Sequence, residues 1–494
     1  MLLKELLAKT KVLKTDGDLN IEIADISYDS RKVKKGNVFV AIPGTMEDGT
    51  KFVPMALRNG AIAIVTEKDV DVEGNAVKVI VPSARAALAE MSCAYFGYPS
   101  KKLKVIGITG TNGKTTSAYL IESIFNAAGF KTGLIGTVET KICGNSVASS
   151  LTTPESYELQ KLFSRMLEEG VTHVVMEVSS HSIAMKRVKG VEFDCAVYTN
   201  LSHDHLDFHK TLEAYFDTKM NLFRSIGSSG KTGVFGAINI DDKYSEAVME
   251  ETNGDIITYS LKKKADVSAK IVSMELGRML LRINSGKDVF DVETSLSGEF
   301  NAYNILSACA CCKGLGISPE IIKNGISSVK NVPGRMEFVK EGQDFSVLVD
   351  FAHSPDSLEK ILDMASGFKK GSLVLVFGCT GNRDKQKRPI MGGIAAKKAD
   401  FTIITSDDPH NEDPELIIRE VEKGFSASGK ECGRDYIKMP DRKAAIEKSI
   451  EIARQNDIVI IAGRGHEKFQ EIKGVNVEID DRVVAKQAIQ KRLH

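Results

Sequence analysis

A lysine and two threonines behind a glycine-rich turn give the strongest chemical signal in this sequence. They lie in the run KVIGITGTNGKTT, Lys104 to Thr116. An apolar stretch gives way to Gly110, Thr111, Asn112 and Gly113, then to Lys114, Thr115 and Thr116, and then to a helix-like run reaching Gly129. A strand, a loop and a helix start in that order form a phosphate-binding loop. Glycines let backbone N–H groups wrap phosphate oxygens, and the helix N-terminus adds positive potential. Lys114 is placed to reach the outer phosphates of a nucleotide, and the Thr115 hydroxyl to ligate Mg²⁺. The spacing is not the strict Walker pattern, which asks for glycine where this chain has Ile108; Gly107 lies one place further out. The competing reading, a glycine-rich turn without nucleotide, is disfavoured by the strand and helix on either side.

Further polar residues stand where apolar runs end. Glu177 closes HVVMEV and precedes Ser179, Ser180 and His181. A carboxylate at a strand end beside a phosphate loop suits Mg²⁺, directly or through water, although a surface carboxylate has the same sequence. The loop TNLSHDHLDFH packs His203, Asp204, His205, Asp207 and His209 together. Zinc is the first thought for such imidazoles, but no cysteine pair lies near and a magnesium nucleotide is already implied. A solvated loop stays open as well. Lys219, in AYFDTKMNLF, sits on an amphipathic helix, and residue physics alone does not distinguish it from a solvated charge.

The elements that must hold these groups follow an alternating rhythm. A chain of 494 residues predicts about three domains at ~150 residues each. Residues 1–99 read as a smaller N-terminal α/β unit, with strand-like IEIADISYDS, NVFVAIPG and AIAIVTE and a closing helix from Ala84 to Tyr95. Residues 100–332 alternate strand and helix, which predicts a parallel sheet, with a β-rich insert before the helical stretch NAYNILSACACCKGLG. Residues 333–494 repeat the rhythm in FSVLVDFAH, SLVLVFGC, ADFTIITSD and DIVIIAGRG, which predicts a Rossmann-like doubly wound sheet with ligands beyond its strand ends. Lys+Arg and Asp+Glu both number 66, which removes any global pull toward nucleic acid or membrane. Cys309, Cys311 and Cys312 lack zinc spacing and read as buried helix residues, and free thiols at this density fit a reducing compartment. The segment MLLKELLAKTKVL is too broken by lysine to be a signal peptide, and no apolar run is long enough to span a bilayer. A cytoplasmic monomer is expected.

GTNGKTT, EVSSH, NLSHDHLDFH and YFDTKMNLF, in this order, resemble the Mur ligase family, which builds the peptide stem of bacterial cell-wall precursors. GEFNAYN, PGRME, DFAHSPD, GCTGNRDKQKRP and GRGHE extend the likeness to the C-terminus, and DSRKVKKGNVFVAIPG with TTPE is most similar to its MurE branch. The resemblance implies a P-loop ATPase domain in the middle and an ATP-dependent reaction. The substrate carboxylate becomes an acyl phosphate, and an amino-acid amine opens it to an amide. Lys114 and Thr115 correspond to phosphate and Mg²⁺ contacts, Glu177 and His205 to metal ligands, and Lys219 to a lysine that becomes a carbamate and helps hold a second Mg²⁺. Asn301 and Arg335 resemble further ATP contacts. Ser30 corresponds to a uridine-nucleotide contact, and Thr152, Thr153, Ser179 and Arg187 to contacts with the UDP-N-acetylmuramoyl-dipeptide. The chain departs from the family at Phe351, where a tyrosine is usual, and at Met185, where a glutamine is usual; each swap removes a polar contact.

The resemblance also implies where the added amino acid is read. Arg383, Gly463 and Glu467 match amino-acid contacts, Arg383 suiting an α-carboxylate and Glu467 an amino group. The segment Asp407, Asp408, Pro409, His410 stands where relatives that add meso-diaminopimelate read DNPR and those that add L-lysine read DNPA. His410 can donate a hydrogen bond but is no permanent guanidinium fork. Asp408 replaces a neutral asparagine, and its extra negative charge is expected to suit an ammonium. Both amino acids therefore stay open, with diaminopimelate preferred because GRGHE and NRDKQKRP follow that branch. Other readings are a folylpolyglutamate-type or D-alanyl-dipeptide-adding ligase, and a non-catalytic nucleotide-dependent scaffold that would not need Lys219 or His205.

Overall fold

The computed structural model describes residues 1–494 apart from Thr45, Met46, Ser150, Ser228, Ser229 and His494 and the side chain of Ala148. It is a three-domain α/β protein, each domain built on its own sheet. In the first sheet, Asp25–Ser27, Asn37–Val40, Ala63–Thr66 and Val77–Ile80 run parallel, and Lys14–Asp16 adds antiparallel at the edge. The sequence reading marks three of these strands. It misses Val77–Ile80, and it misses Lys14–Asp16, whose residues are all exposed and so carry no apolar alternation. Helix Ala84–Tyr95, capped by the Ser83 hydroxyl, packs Leu88 and Met91 onto this sheet.

The central sheet has eleven strands. Its parallel part is buried on both faces, which is why Lys104–Thr109, His173–Glu177 and Cys195–Tyr198 read as nearly unbroken apolar runs. Lys104–Thr109 lies between the other two, with Ile108 level with Glu177 and Thr109 level with Tyr198. The chain first builds outward on the His173 side and then crosses to Cys195–Tyr198. The order of strands therefore reverses beside the phosphate loop, where open α/β sheets collect ligands. The β-rich insert, Val267–Glu275, Arg278–Ser285 and Asp288–Thr294, extends one edge as an antiparallel meander.

Helix Lys114–Ala127 starts at Gly113 and packs against helix Glu299–Gly314, where the Ser307 hydroxyl donates to Ser117 Oγ at 2.8 Å. Cys309, Cys311 and Cys312 are buried along that second helix, and all eight cysteines are free. In the third sheet, Ser346–Asp350, Ile458–Ala462, Leu373–Phe377, Phe401–Ile404 and Tyr436–Lys438 are parallel, and Glu337–Phe338 adds antiparallel at the edge. A hairpin, Phe469–Ile472 with Val475–Glu478, follows the last central strand and was not anticipated from sequence. No helix among the described residues is long and apolar enough to cross a membrane.

Candidate active site

A cleft of about 1140 Å³ opens between the carboxyl ends of the central and C-terminal sheets. Its floor is the phosphate loop. Gly110 has φ +147° and Gly113 φ +88°; a Cβ on the first would stand 1.9 Å from Thr199 Oγ1, and on the second 2.3 Å from Asn304 Oδ1. Only glycine fits either position. Asn112 is held from below: its N–H donates to Asn200 Oδ1 at 3.0 Å, and its carbonyl accepts from Thr199 Oγ1 at 2.7 Å. Lys114 Nζ donates to the carbonyls of Gly110 and Thr111, both at 2.9 Å, and burial pulls its pKa down. Thr115 and Thr116 are buried in the first turn of the helix.

Glu177, 1% exposed, anchors the next layer. Its Oε2 accepts from the Thr115 and Thr137 hydroxyls, each at 3.0 Å, while Oε1 accepts from the Thr137 N–H at 2.8 Å. Arg335 crosses from the start of the C-terminal unit and donates from Nη2 to Thr115 Oγ1 at 3.1 Å. Lys219 is fully buried beneath the loop and donates to the Gly110 carbonyl at 3.0 Å. Burial, reinforced by the nearby Lys114 charge, drives its pKa well below that of an ordinary lysine. His205, at φ +55°, lies edge-on to His181; burial drops its pKa to about 3, so its ring is neutral. His209 turns away to Ser180 Oγ at 2.9 Å, and His203 and Asp207 are exposed. The histidine loop therefore does not converge on one metal among the described residues.

The facing wall belongs to the C-terminal unit. Arg383 is exposed and makes no hydrogen bond or ion pair among the described residues. Asp407, Asp408 and Glu467 bring carboxylate oxygens within 4.8 Å of one another. Buried Arg464 stands among them, with Nη1 2.6 Å from Asp408, 3.5 Å from Glu467 and 3.7 Å from Asp407. Burial is the largest influence on Glu467 and raises its pKa to about 8. Asp407 Oδ2 is buried without a hydrogen-bond partner among the described residues and faces Gly463, where a Cβ would stand 2.6 Å away.

Three sequence matches meet this geometry. Residues 108–312 match the Mur ligase middle domain, residues 334–465 the Mur ligase glutamate ligase domain, and residues 22–96 the Mur ligase family catalytic domain. The UDP-N-acetylmuramoyl-L-alanyl-D-glutamate–2,6-diaminopimelate ligase of Clostridium botulinum is 43% identical over 475 residues, covering 95% of this chain and 96% of its own. This chain belongs to the Mur ligase family. A ligase of the same name from Geobacillus thermodenitrificans is also 43% identical, with 96% of both chains covered. A solved structure of a ligase with that name is 32% identical, with a TM-score of 0.69 over 100% of this chain and 99% of that one. The Thermotoga maritima MurF ligase, solved in complex with ADP, shares the fold at 20% identity and a TM-score of 0.65, over 95% of this chain and 98% of its own.

As a Mur ligase, the chain gathers most of the residues singled out from sequence. Thr111 to Thr116, Glu177, His205, Asn301 and Arg335 line the cleft with Thr152, Thr153, Ser179, Arg187, Arg383, Asp407, Asp408, His410, Gly463 and Glu467. Gly110, Lys219 and Pro409 lie just behind that surface. Ser30 does not reach the cleft: it is buried in a short 3₁₀ turn of the N-terminal domain, its hydroxyl 3.3 Å from Met55 Sδ.

Some expectations are corrected. Asp408 Oδ1 is not free to attract an ammonium, because it accepts from Arg464 Nη1 at 2.6 Å and from the Glu471 N–H at 2.9 Å. His410 is paired through Nδ1 with Glu471 at 3.1 Å. Phe351 loses the hydroxyl of tyrosine but carries the Arg335 guanidinium 4.5 Å above its ring. Sequence reasoning missed Thr137, Asn304 and Arg464. Thr137 is a lone polar residue without a motif, whereas Asn304 lies in the quoted GEFNAYN run and Arg464 in the quoted GRGHE run, and both could have been found there.

Proposed function

We propose that this chain joins 2,6-diaminopimelate to UDP-N-acetylmuramoyl-L-alanyl-D-glutamate at the expense of ATP, in the assembly of the peptidoglycan stem. The carrying observation is the cleft itself. A phosphate loop with Glu177 forms one wall, and a wall with carboxylates and Arg383, unpaired among the described residues, faces it. The loop N–H groups and Lys114 hold the triphosphate, with Asn301 and Arg335 on its flank. The substrate carboxylate takes the terminal phosphoryl group, which converts a poor electrophile into a mixed anhydride. The amine of the diamino acid then displaces phosphate. Positioning and charge neutralisation do most of this work, since no protein nucleophile is required.

The Thr115 hydroxyl and the Glu177 carboxylate, 3.0 Å apart, form a hard oxygen pair that fits Mg²⁺. Neutral His205 and a carbamylated Lys219 would complete a second position. When bound, Mg²⁺ supplies charge to offset the phosphoryl oxygens. Lys219 suits carbamylation because burial shifts its amine toward the neutral form, the form that adds CO₂. Thr152, Thr153, Ser179 and Arg187 receive the muramoyl dipeptide and Ser30 its uridine end. Arg383 takes the α-carboxylate, Glu467 an amino group, and His410, through Nε2 while Nδ1 stays on Glu471, the far carboxylate. Diaminopimelate is preferred over lysine because Arg464 occupies the Asp408 oxygen that would have drawn a bare ammonium.

Residues 1–99, 100–332 and 333–494 act as the uridine-substrate, ATP and amino-acid units of a cytoplasmic monomer. The test is product formation from the UDP-linked dipeptide with each amino acid. Turnover with diaminopimelate at least ~10-fold above lysine supports the reading, since one well-placed polar contact separates analogues by that much or more. Turnover with lysine alone would refute it.

A further inference from the structure

Besides Arg335, a carboxylate of the C-terminal unit touches the phosphate loop. Asp356 lies in the first turn of helix Pro355–Phe368, whose start is fixed by the Ser354–Ser357 capping box. Its Oδ2 accepts from Asn112 Nδ2 at 2.7 Å, from Lys360 Nζ at 2.8 Å and from Ser202 Oγ at 3.4 Å. Asn112 and Ser202 belong to the central unit; Lys360 is one turn along the same helix. The Asn112 backbone is committed to Asn200 and Thr199, so Asp356 grips this loop residue by its side chain and leaves its backbone orientation to the central sheet.

The same helix start leads on to the amino-acid wall. Lys387 Nζ donates to the His353 carbonyl at 2.9 Å, and Lys387 opens the helix that follows the Arg383 loop. Hydrogen bonds and short covalent spans thus run from the phosphate loop through Asp356 and His353 to the turn that carries Arg383.

We propose that Asp356 is a positioning residue: it registers the amino-acid wall against the phosphate loop, so that the amine arrives in line with the activated carboxylate. The inference rests on the ligase reading above. A carboxylate accepting from a neutral amide and a cation gives a short, directional contact, and a misplacement of about 1 Å between reacting groups costs up to ~100-fold in rate. Asp356 touches no substrate in this account. Its loss therefore should leave nucleotide binding alone and appear in the step that needs both walls.

The experiment compares wild type with Asp356→Ala, Asp356→Asn, Asn112→Ala and the Asp356→Ala/Asn112→Ala double variant. Steady-state kinetics are taken for all three substrates, with circular dichroism confirming each fold. Asp356→Ala should lower kcat/KM for the amino acid about 10-fold while KM for ATP stays within about 2-fold. Asp356→Asn keeps an acceptor oxygen and should recover most of the loss. The double variant should be no slower than Asn112→Ala alone, because the two side chains act through one contact. An Asp356→Ala enzyme with wild-type amino-acid kinetics, an equal loss in ATP KM, or additive losses in the double variant would each overturn the proposal. A wild-type protein that forms no amide at all would instead refute the ligase reading, so the two failures are distinguishable.

Discussion

At the scale of residues, this site depends on burial that keeps charges off groups which usually carry them. Lys219 lies under the loop with its amine shifted toward neutral. Lys219→Arg keeps a cation and cannot take up CO₂, so activity should fall by at least ~100-fold, the scale on which lost metal and oxyanion stabilisation is felt. Retained activity in the arginine variant would exclude a carbamate. Glu467 offers a test by pH. Free, its pKa is raised to about 8, chiefly by burial. An ammonium beside it favours the ionised form and lowers that value, so binding below about pH 8 expels a proton. Amino-acid affinity should therefore strengthen as pH rises toward about 8 and level off above it. Calorimetric heats measured below that pH should change with the ionisation enthalpy of the buffer. A flat profile with buffer-independent heats would mean that Glu467 does not meet the amine. Lys114, Thr115 and Glu177 were legible because glycines and apolar runs frame them. The Asp408–Arg464 pair was not, because residues separated by 56 positions meet only once the strand ends converge.

At the scale of elements, the loop and its supporting strands leave little freedom. Gly110→Ala would press a Cβ to 1.9 Å from Thr199 Oγ1 at φ +147°. It should cost at least ~1–3 kcal/mol in denaturant unfolding and abolish ATP binding. A variant that binds ATP normally would show that the loop can relax around a side chain. In the C-terminal unit, Arg442 and Asp481, each at the start of a helix, form an ion pair 2.6 Å long with both side chains fully buried. Asp481→Ala leaves the guanidinium uncompensated and should destabilise the chain by about 3–5 kcal/mol. Near-wild-type unfolding would mean that water or another acceptor replaces the aspartate. The long apolar strands and the helices Ala84–Tyr95 and Glu299–Gly314 were readable from pattern alone. The Lys14–Asp16 edge strand and the Phe469–Glu478 hairpin were not. Their residues are largely exposed, so tertiary pairing rather than local periodicity decides them.

At the scale of the whole molecule, nucleotide and amine are held on different sheets, and the reaction depends on how those sheets meet. Arg335 to Thr115 and Asp356 to Asn112 are side-chain bridges between them beside the loop. Binding of ATP with the UDP-linked substrate should draw the domains together, seen as a smaller radius of gyration in small-angle scattering; unchanged dimensions would count against closure. Sequence order and motif spacing were enough to expect three α/β domains and the ends from which chemistry would come. They could not show that Arg335 and Asp356 reach across to the phosphate loop, because domain placement is set by surfaces that no local pattern encodes. The most direct test is to supply the purified protein with Mg²⁺, ATP, UDP-N-acetylmuramoyl-L-alanyl-D-glutamate and diaminopimelate, and to follow ADP and tripeptide product together. Stoichiometric release that requires every substrate and vanishes in Lys114→Ala is the predicted result. ATP turnover without amide formation, or full amide formation by Lys114→Ala, would contradict it.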